Sequence, residues 1–148
     1  MRVVLFYFAA YFFSTIALST TTMIQLDGLV LPSGLRWSDE FTTTSVAQSA
    51  RRTLDGSLVV FYAERRGGRP ITLESESDAA WCTREQVEAL ALRAASPGAR
   101  FTLLLRNQVW TVLFRHHEPP AFEATPLINL AYPQPTDFYL VTLKLMTL

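Results

Sequence analysis

A single cysteine, Cys82, occurs in the whole chain. It excludes an intramolecular disulfide framework and any zinc cluster built on cysteine. Net charge is missing too, because 13 lysines and arginines balance 13 aspartates and glutamates. A neutral chain has no overall basic field to attract nucleic acid or an anionic membrane. There is no phosphate-binding glycine loop, no dinucleotide fingerprint and no nucleophile elbow. Internal repeats and coiled-coil heptads are also absent. What the chain does have is apolar content: 49% of its 148 residues, enough for the core of one domain and too much for disorder. Sparse charge with abundant apolar residues predicts sticky surfaces, as in a subunit of an assembly.

The apolar run Val3–Leu18 follows Met1-Arg2 and spans 16 residues. A transmembrane helix needs about 20. A positive start, an apolar middle and the small residues Ala17 and Ser19 give it the shape of a signal peptide. Met23 directly precedes Ile24-Gln25-Leu26, a first strand, so residues 1–22 also read as an extension upstream of the true start. Signal, anchor and upstream extension all remain open. Each places residues 1–22 outside the domain, which is expected to span residues 23–148.

The stretch Pro70–Phe114 organises that domain as strand, helix and hairpin. Ile71 and Leu73 alternate with Thr72 and Glu74. Thr83 is a helix N-cap, with Gln86 completing a capping box and Cys82 and Val87 at staple positions. The helix is expected over about Arg84–Ser96, with Val87, Leu90, Ala91 and Ala94 as its apolar stripe and Pro97-Gly98 ending it. Phe101–Leu105 and Gln108–Phe114 then pair across Arg106-Asn107, with Trp110, Val112 and Phe114 on one face.

Flanking segments also read as strands. Asp27-Gly28 turns Ile24–Leu26 into Leu29–Leu31. Thr42–Ala50 is polar and suits an edge or a strand with one wet face. Asp55-Gly56 is a hairpin cue leading into Leu58–Arg65. There Leu58, Val60 and Tyr62 alternate with Val59, Phe61 and Ala63, so both faces are apolar and a central strand covered on both sides is expected. Arg65–Arg69 is a basic loop. Ala121–Leu130 reads as a strand bent or placed at an edge by Pro126. Asp137–Met146 is the last strand, with Tyr139, Val141, Leu143 and Leu145 inward and Thr142 and Lys144 outward. The expected fold class is α+β, mostly β: an antiparallel sandwich or partly open barrel of about seven to ten strands with one helix.

Candidate chemistry is thin. His116-His117-Glu118 suggests a metal, but neighbours on extended backbone point opposite ways and no third ligand follows at metal spacing. Cys82 with a histidine suggests a nucleophile and base, yet its staple position explains it as a small apolar residue. Asp39-Glu40 and Glu74–Asp78 offer carboxylates for acid–base work, and solvated loops account for them better. Arg65–Arg69 beside Phe61 and Tyr62 suggests a nucleic-acid strand, and a solvated hairpin loop is the better reading. Trp37, Trp81 and Trp110 suggest sugar stacking, against core packing as the default. No catalytic, cofactor-binding or metal residue is expected, and no cofactor.

Several strings carry a resemblance to a family. They are Leu26-Asp27-Gly28-Leu29-Val30-Leu31-Pro32, Leu35–Phe41, Gly68-Arg69-Pro70-Ile71-Thr72-Leu73, Trp81-Cys82-Thr83-Arg84, Val112–His116 and Tyr139–Thr147. Over residues 23–148 the chain resembles small structural proteins of the tail tip or baseplate of tailed bacteriophages and prophages; residues 1–22 do not fit that pattern. The resemblance implies a non-catalytic virion subunit, made in the bacterial cytoplasm, whose partners are other tail proteins and copies of itself. It implies no nucleic acid, and no membrane for residues 23–148. An exported or membrane-anchored β-sandwich that binds a ligand such as glycan is the rival expectation if the leader is genuine.

Overall fold

The computed structural model describes residues 23–148, so the expectations for residues 1–22 lie outside it. Among the described residues there are eleven strands and one helix: β1 (Ile24–Leu26), β2 (Leu29–Leu31), β3 (Arg36–Trp37), β4 (Val46–Arg52), β5 (Leu58–Glu64), β6 (Pro70–Glu74), β7 (Cys82–Thr83), α1 (Arg84–Ala94), β8 (Phe101–Leu105), β9 (Gln108–Phe114), β10 (Phe122–Pro126) and β11 (Phe138–Thr147). The fold is α+β and mostly β, in the manner of an antiparallel sandwich with one helix. The sheet runs β2-β1-β8-β9-β11-β6-β3 and does not close into a barrel.

Alternation makes β11 the spine. Val141, Leu143 and Leu145 are buried on one face while Thr142, Lys144 and Met146 are only half-buried. The strand is long enough to serve two pairs of neighbours. Its first half pairs with β10 on one side and β7 on the other, from Tyr139↔Pro126 and Tyr139↔Cys82 to Leu143↔Phe122. Its second half pairs with β9 (Leu145↔Phe114) and β6 (Leu145↔Ile71). The handover from β9 to β10 is made at Lys144, whose carbonyl accepts from Arg115 N–H at 2.9 Å and whose N–H donates to Ala121 O at 2.8 Å. Leu26, Ile71, Leu73, Leu103, Val112 and Leu143 meet in one core.

Turn chemistry explains the local hairpins. Arg106 and Asn107 both adopt positive φ (51° and 61°), as a two-residue turn between twisted strands requires. Asp27-Gly28 does the same between β1 and β2. The capping box of α1 is formed: Gln86 N–H donates to Thr83 Oγ1 at 3.4 Å, and Thr83 N–H donates to Gln86 Oε1 at 2.9 Å. Gln86 also uses its amide Nε2 to donate to Val30 O at 2.9 Å, which covers part of the β2 edge. Leu90 is fully buried, contributing about 1.5–3 kcal/mol, and Val87 and Ala94 pack beside it.

Several expectations need correction. The strand at Leu58–Glu64 is not central: among the described residues β5 pairs only with β4, and every residue of β5 is exposed. The apolar pattern registered that both faces want cover, but no other layer among the described residues supplies it. The Asp55-Gly56 turn closes β5 on the polar β4, and the chain leaves both strands for the main sheet. The polar stretch expected to pair from Thr42 begins its ladder only at Val46. The helix ends at Ala94 with Ala95 as cap, before the expected Ser96, and Ala91 faces outward from the stripe. Strand β10 stops at Pro126, short of Leu130. The two-residue strands β3 and β7 are too brief for alternation to announce them.

Candidate functional site

Asp39-Glu40 is not a solvated loop, which corrects a further expectation. Asp39 Oδ1 accepts from Thr72 N–H at 2.7 Å and from Trp37 Nε1–H at 2.8 Å. Its Oδ2 accepts from the Thr72 hydroxyl at 2.6 Å, and that hydroxyl accepts from Arg115 Nη2 at 2.5 Å. Arg115 is buried, with Nη2 lying 3.6 Å from Asp39 Oδ2. Asp39 therefore accepts three hydrogen bonds and faces a buried cation. These contacts tie the segment after β3 to β6 and to the end of β9. A carboxylate so engaged is a fastener rather than an acid or base. Glu74 is likewise committed, accepting from Arg36 and from the Ser38 hydroxyl, each at 3.0 Å.

The remaining candidates do not converge. Cys82 is fully buried, and burial pushes its thiol up to about 11. His116 and His117 are both exposed, so neither shares the interior with Cys82. Among the described residues no three His, Cys, Asp or Glu side chains cluster as a metal cage. The tryptophans split. Trp37 and Trp110 pack against the core with the Arg69 guanidinium beside both rings, 4.8 and 5.6 Å from their centres. Trp81 is more exposed and sits against Phe138, ring centres 5.8 Å apart. No sugar-stacking platform of two exposed tryptophans results.

Two apolar surfaces stand out instead. The first is the β4–β5 arm. Its register places Leu58, Val60 and Tyr62 with Gln48 and Ala50 on one face, and Val59 and Phe61 with Ser49 and Arg51 on the other. Phe61 is 59% exposed and Tyr62 80%, values that belong to unfolded-like surroundings rather than a sheet interior. A lone two-stranded hairpin is marginal in water, and among the described residues nothing packs on this arm to steady it.

The root of the arm, by contrast, is firmly held. Arg65 N–H donates to Ser45 O at 2.6 Å, and Gly68 N–H to Thr147 O at 2.9 Å. The Arg69 guanidinium donates to Glu40 O at 3.0 Å while stacking on Trp37. At Gly67 (φ +75°) an added Cβ would lie 2.8 Å from the Leu148 carbonyl carbon. A groove of about 440 Å³ lies at this root, lined by Phe41, Thr44, Arg65 and Gly68 among others. The basic loop expected at Arg65–Arg69 is thus half fastened: Arg65 and Arg66 are exposed, whereas Arg69 is locked in.

The second surface lies at the opposite end of β11. Ile128, Leu130, Tyr132 and Phe138 are exposed, and a cleft of about 180 Å³ runs between Leu127, Leu130, Asp137 and Phe138. Sequence reading treated this stretch as strand tail and turn. Its signal was apolar residues persisting beyond Pro126, where the ladder to β11 gives out after Leu127 N–H donates to Phe138 O at 3.1 Å. No helix among the described residues is long and apolar enough to cross a membrane. No protein-family model, curated protein or solved structure matches the chain.

Proposed function

We propose that the chain is a structural subunit of a phage tail, at the tail tip or baseplate, and works through its protein–protein interfaces without catalysis. The exposed β4–β5 arm carries this reading. A ribbon with large apolar side chains on both faces is costly to leave in water, and burial against another protein relieves that cost. The firm root fits the same role, because a fixed base delivers the arm at a defined angle and lowers the ordering cost of docking. The resemblance over residues 23–148 supplies the kind of assembly. Virion residence, with the bacterial cytoplasm as place of synthesis, belongs to the same proposal.

The test is incorporation. Tailed particles purified from the bacterium that encodes the chain should contain it by mass spectrometry. A variant carrying Phe61→Asp and Tyr62→Asp should fold, because both residues are already exposed, yet be excluded from the particles. Purified tails without the chain would overturn the proposal, as would full incorporation of the double variant.

A further inference from the structure

We infer that the arm of one copy docks on the Leu127–Phe138 cleft of a second copy, so that subunits join head to tail. The inference rests on the assembly reading above and names the partner and the face.

Three observations lead there. First, the surfaces lie at opposite ends of the spine strand. The arm root is bonded to Thr147, and the cleft is lined by Phe138. Nine residue steps of extended chain separate these ends by about 30 Å. Second, the arm does not cover the cleft within its own chain, because Tyr62 on the arm and Ile128 beside the cleft are both exposed. Among the described residues each surface is left with exposed apolar side chains. Third, the charges match. The arm carries Arg51, Arg52, Arg65 and Arg66 against Asp55 and Glu64. The cleft side carries Asp137 in its lining and Glu85, whose N–H donates to Pro135 O at 3.3 Å. Arg84 also lies on this side, its N–H donating to Asp137 O at 2.9 Å, but its guanidinium is already paired with Glu88 at 2.8 Å. Glu85 and Asp137 belong to no ion pair among the described residues. A basic ribbon with an apolar row suits an apolar cleft with an acidic border better than it suits a second basic ribbon.

Different surfaces on the two partners make the contact heterologous. Such a contact closes into a ring or continues as a filament; it does not stop at a two-fold dimer.

Sedimentation velocity on the full chain tests this with two single variants, Tyr62→Asp on the arm and Ile128→Asp at the cleft. Wild type should form species larger than a dimer, and each variant alone should weaken association by roughly tenfold to a hundredfold. The two variants mixed should form a dimer and nothing larger, because one intact arm then meets one intact cleft. Leu58→Asp and Leu130→Asp form a second pair should either first variant fail to unfold cooperatively. Wild-type-like association of the cleft variants, or a wild type that stays monomeric, overturns the inference. Either result leaves the incorporation test free to succeed with a different partner on the arm.

Discussion

The Thr72 hydroxyl donates to Asp39 Oδ2 at 2.6 Å while the Thr72 backbone N–H donates to Asp39 Oδ1 at 2.7 Å. One carboxylate thus grips both polar groups of one residue on β6, and Arg115 completes the cluster from the end of β9. The segment that carries the arm leaves the sheet just after Asp39 and rejoins it at Pro70. The cluster therefore holds the body together beside the arm's point of departure.

Asp39→Ala should cost on the order of 3 kcal/mol, because it leaves Thr72 N–H without its acceptor and leaves the buried Arg115 guanidinium only the more exposed Glu118, 3.6 Å away, as a counter-charge. Thermal or denaturant unfolding measures the loss. Arg115→Met in the Asp39→Ala background should return part of it, since the under-compensated buried charge is then gone. Additive losses in that double-mutant cycle would show that the two residues do not act as a unit.

Gly67 and Gly56 separate two effects of a side chain at positive φ. Both have φ in the left-handed region (+75° and +86°), but a Cβ at Gly56 meets nothing within 4 Å, whereas at Gly67 it meets the Leu148 backbone. Gly56→Ala should therefore cost about 1 kcal/mol, the conformational penalty alone. Gly67→Ala should cost about 1–2 kcal/mol more, because backbone at the arm root must shift to admit it. Equal losses for the two variants would mean that the root is not tightly packed.

Burial holds the Cys82 thiol protonated up to about pH 11, against an ordinary value of 9.0. Its folded-state pKa is raised, so its contribution is complete below pH 9 and disappears as pH rises from 9 to 11. Over that window the wild type should lose on the order of 2–3 kcal/mol more stability than Cys82→Ala, judged by denaturant midpoints at each pH. The same burial makes the native thiol unreactive toward a disulfide reagent at about pH 8 until the chain unfolds. Parallel pH profiles for the two proteins would count against a desolvated thiol.

Much of the architecture was local, and local physics is legible in a linear chain. Asp27-Gly28, Asp55-Gly56 and Arg106-Asn107 each bring only neighbouring residues together, so turn chemistry alone predicts the three hairpins. Thr83 and Gln86 sit one helical turn apart, and their reciprocal bonds follow from that spacing. The inward row of β11 comes from its period of two. The candidate surfaces were a different matter. Whether Leu58–Tyr62 is covered depends on where distant layers end, and alternation records a need for cover without saying who provides it. Asp39 looked solvated because its partners lie 33 and 76 positions away, at Thr72 and Arg115. By itself the sequence determined the helix, the hairpin turns and the longer strands, since those choices rest on backbone preferences of adjacent residues; the two-residue strands β3 and β7 escaped it. Only the tertiary structure decided that a hairpin with an apolar strand projects outward and that an acidic residue is an internal clasp, because burial is a property of the whole packed chain.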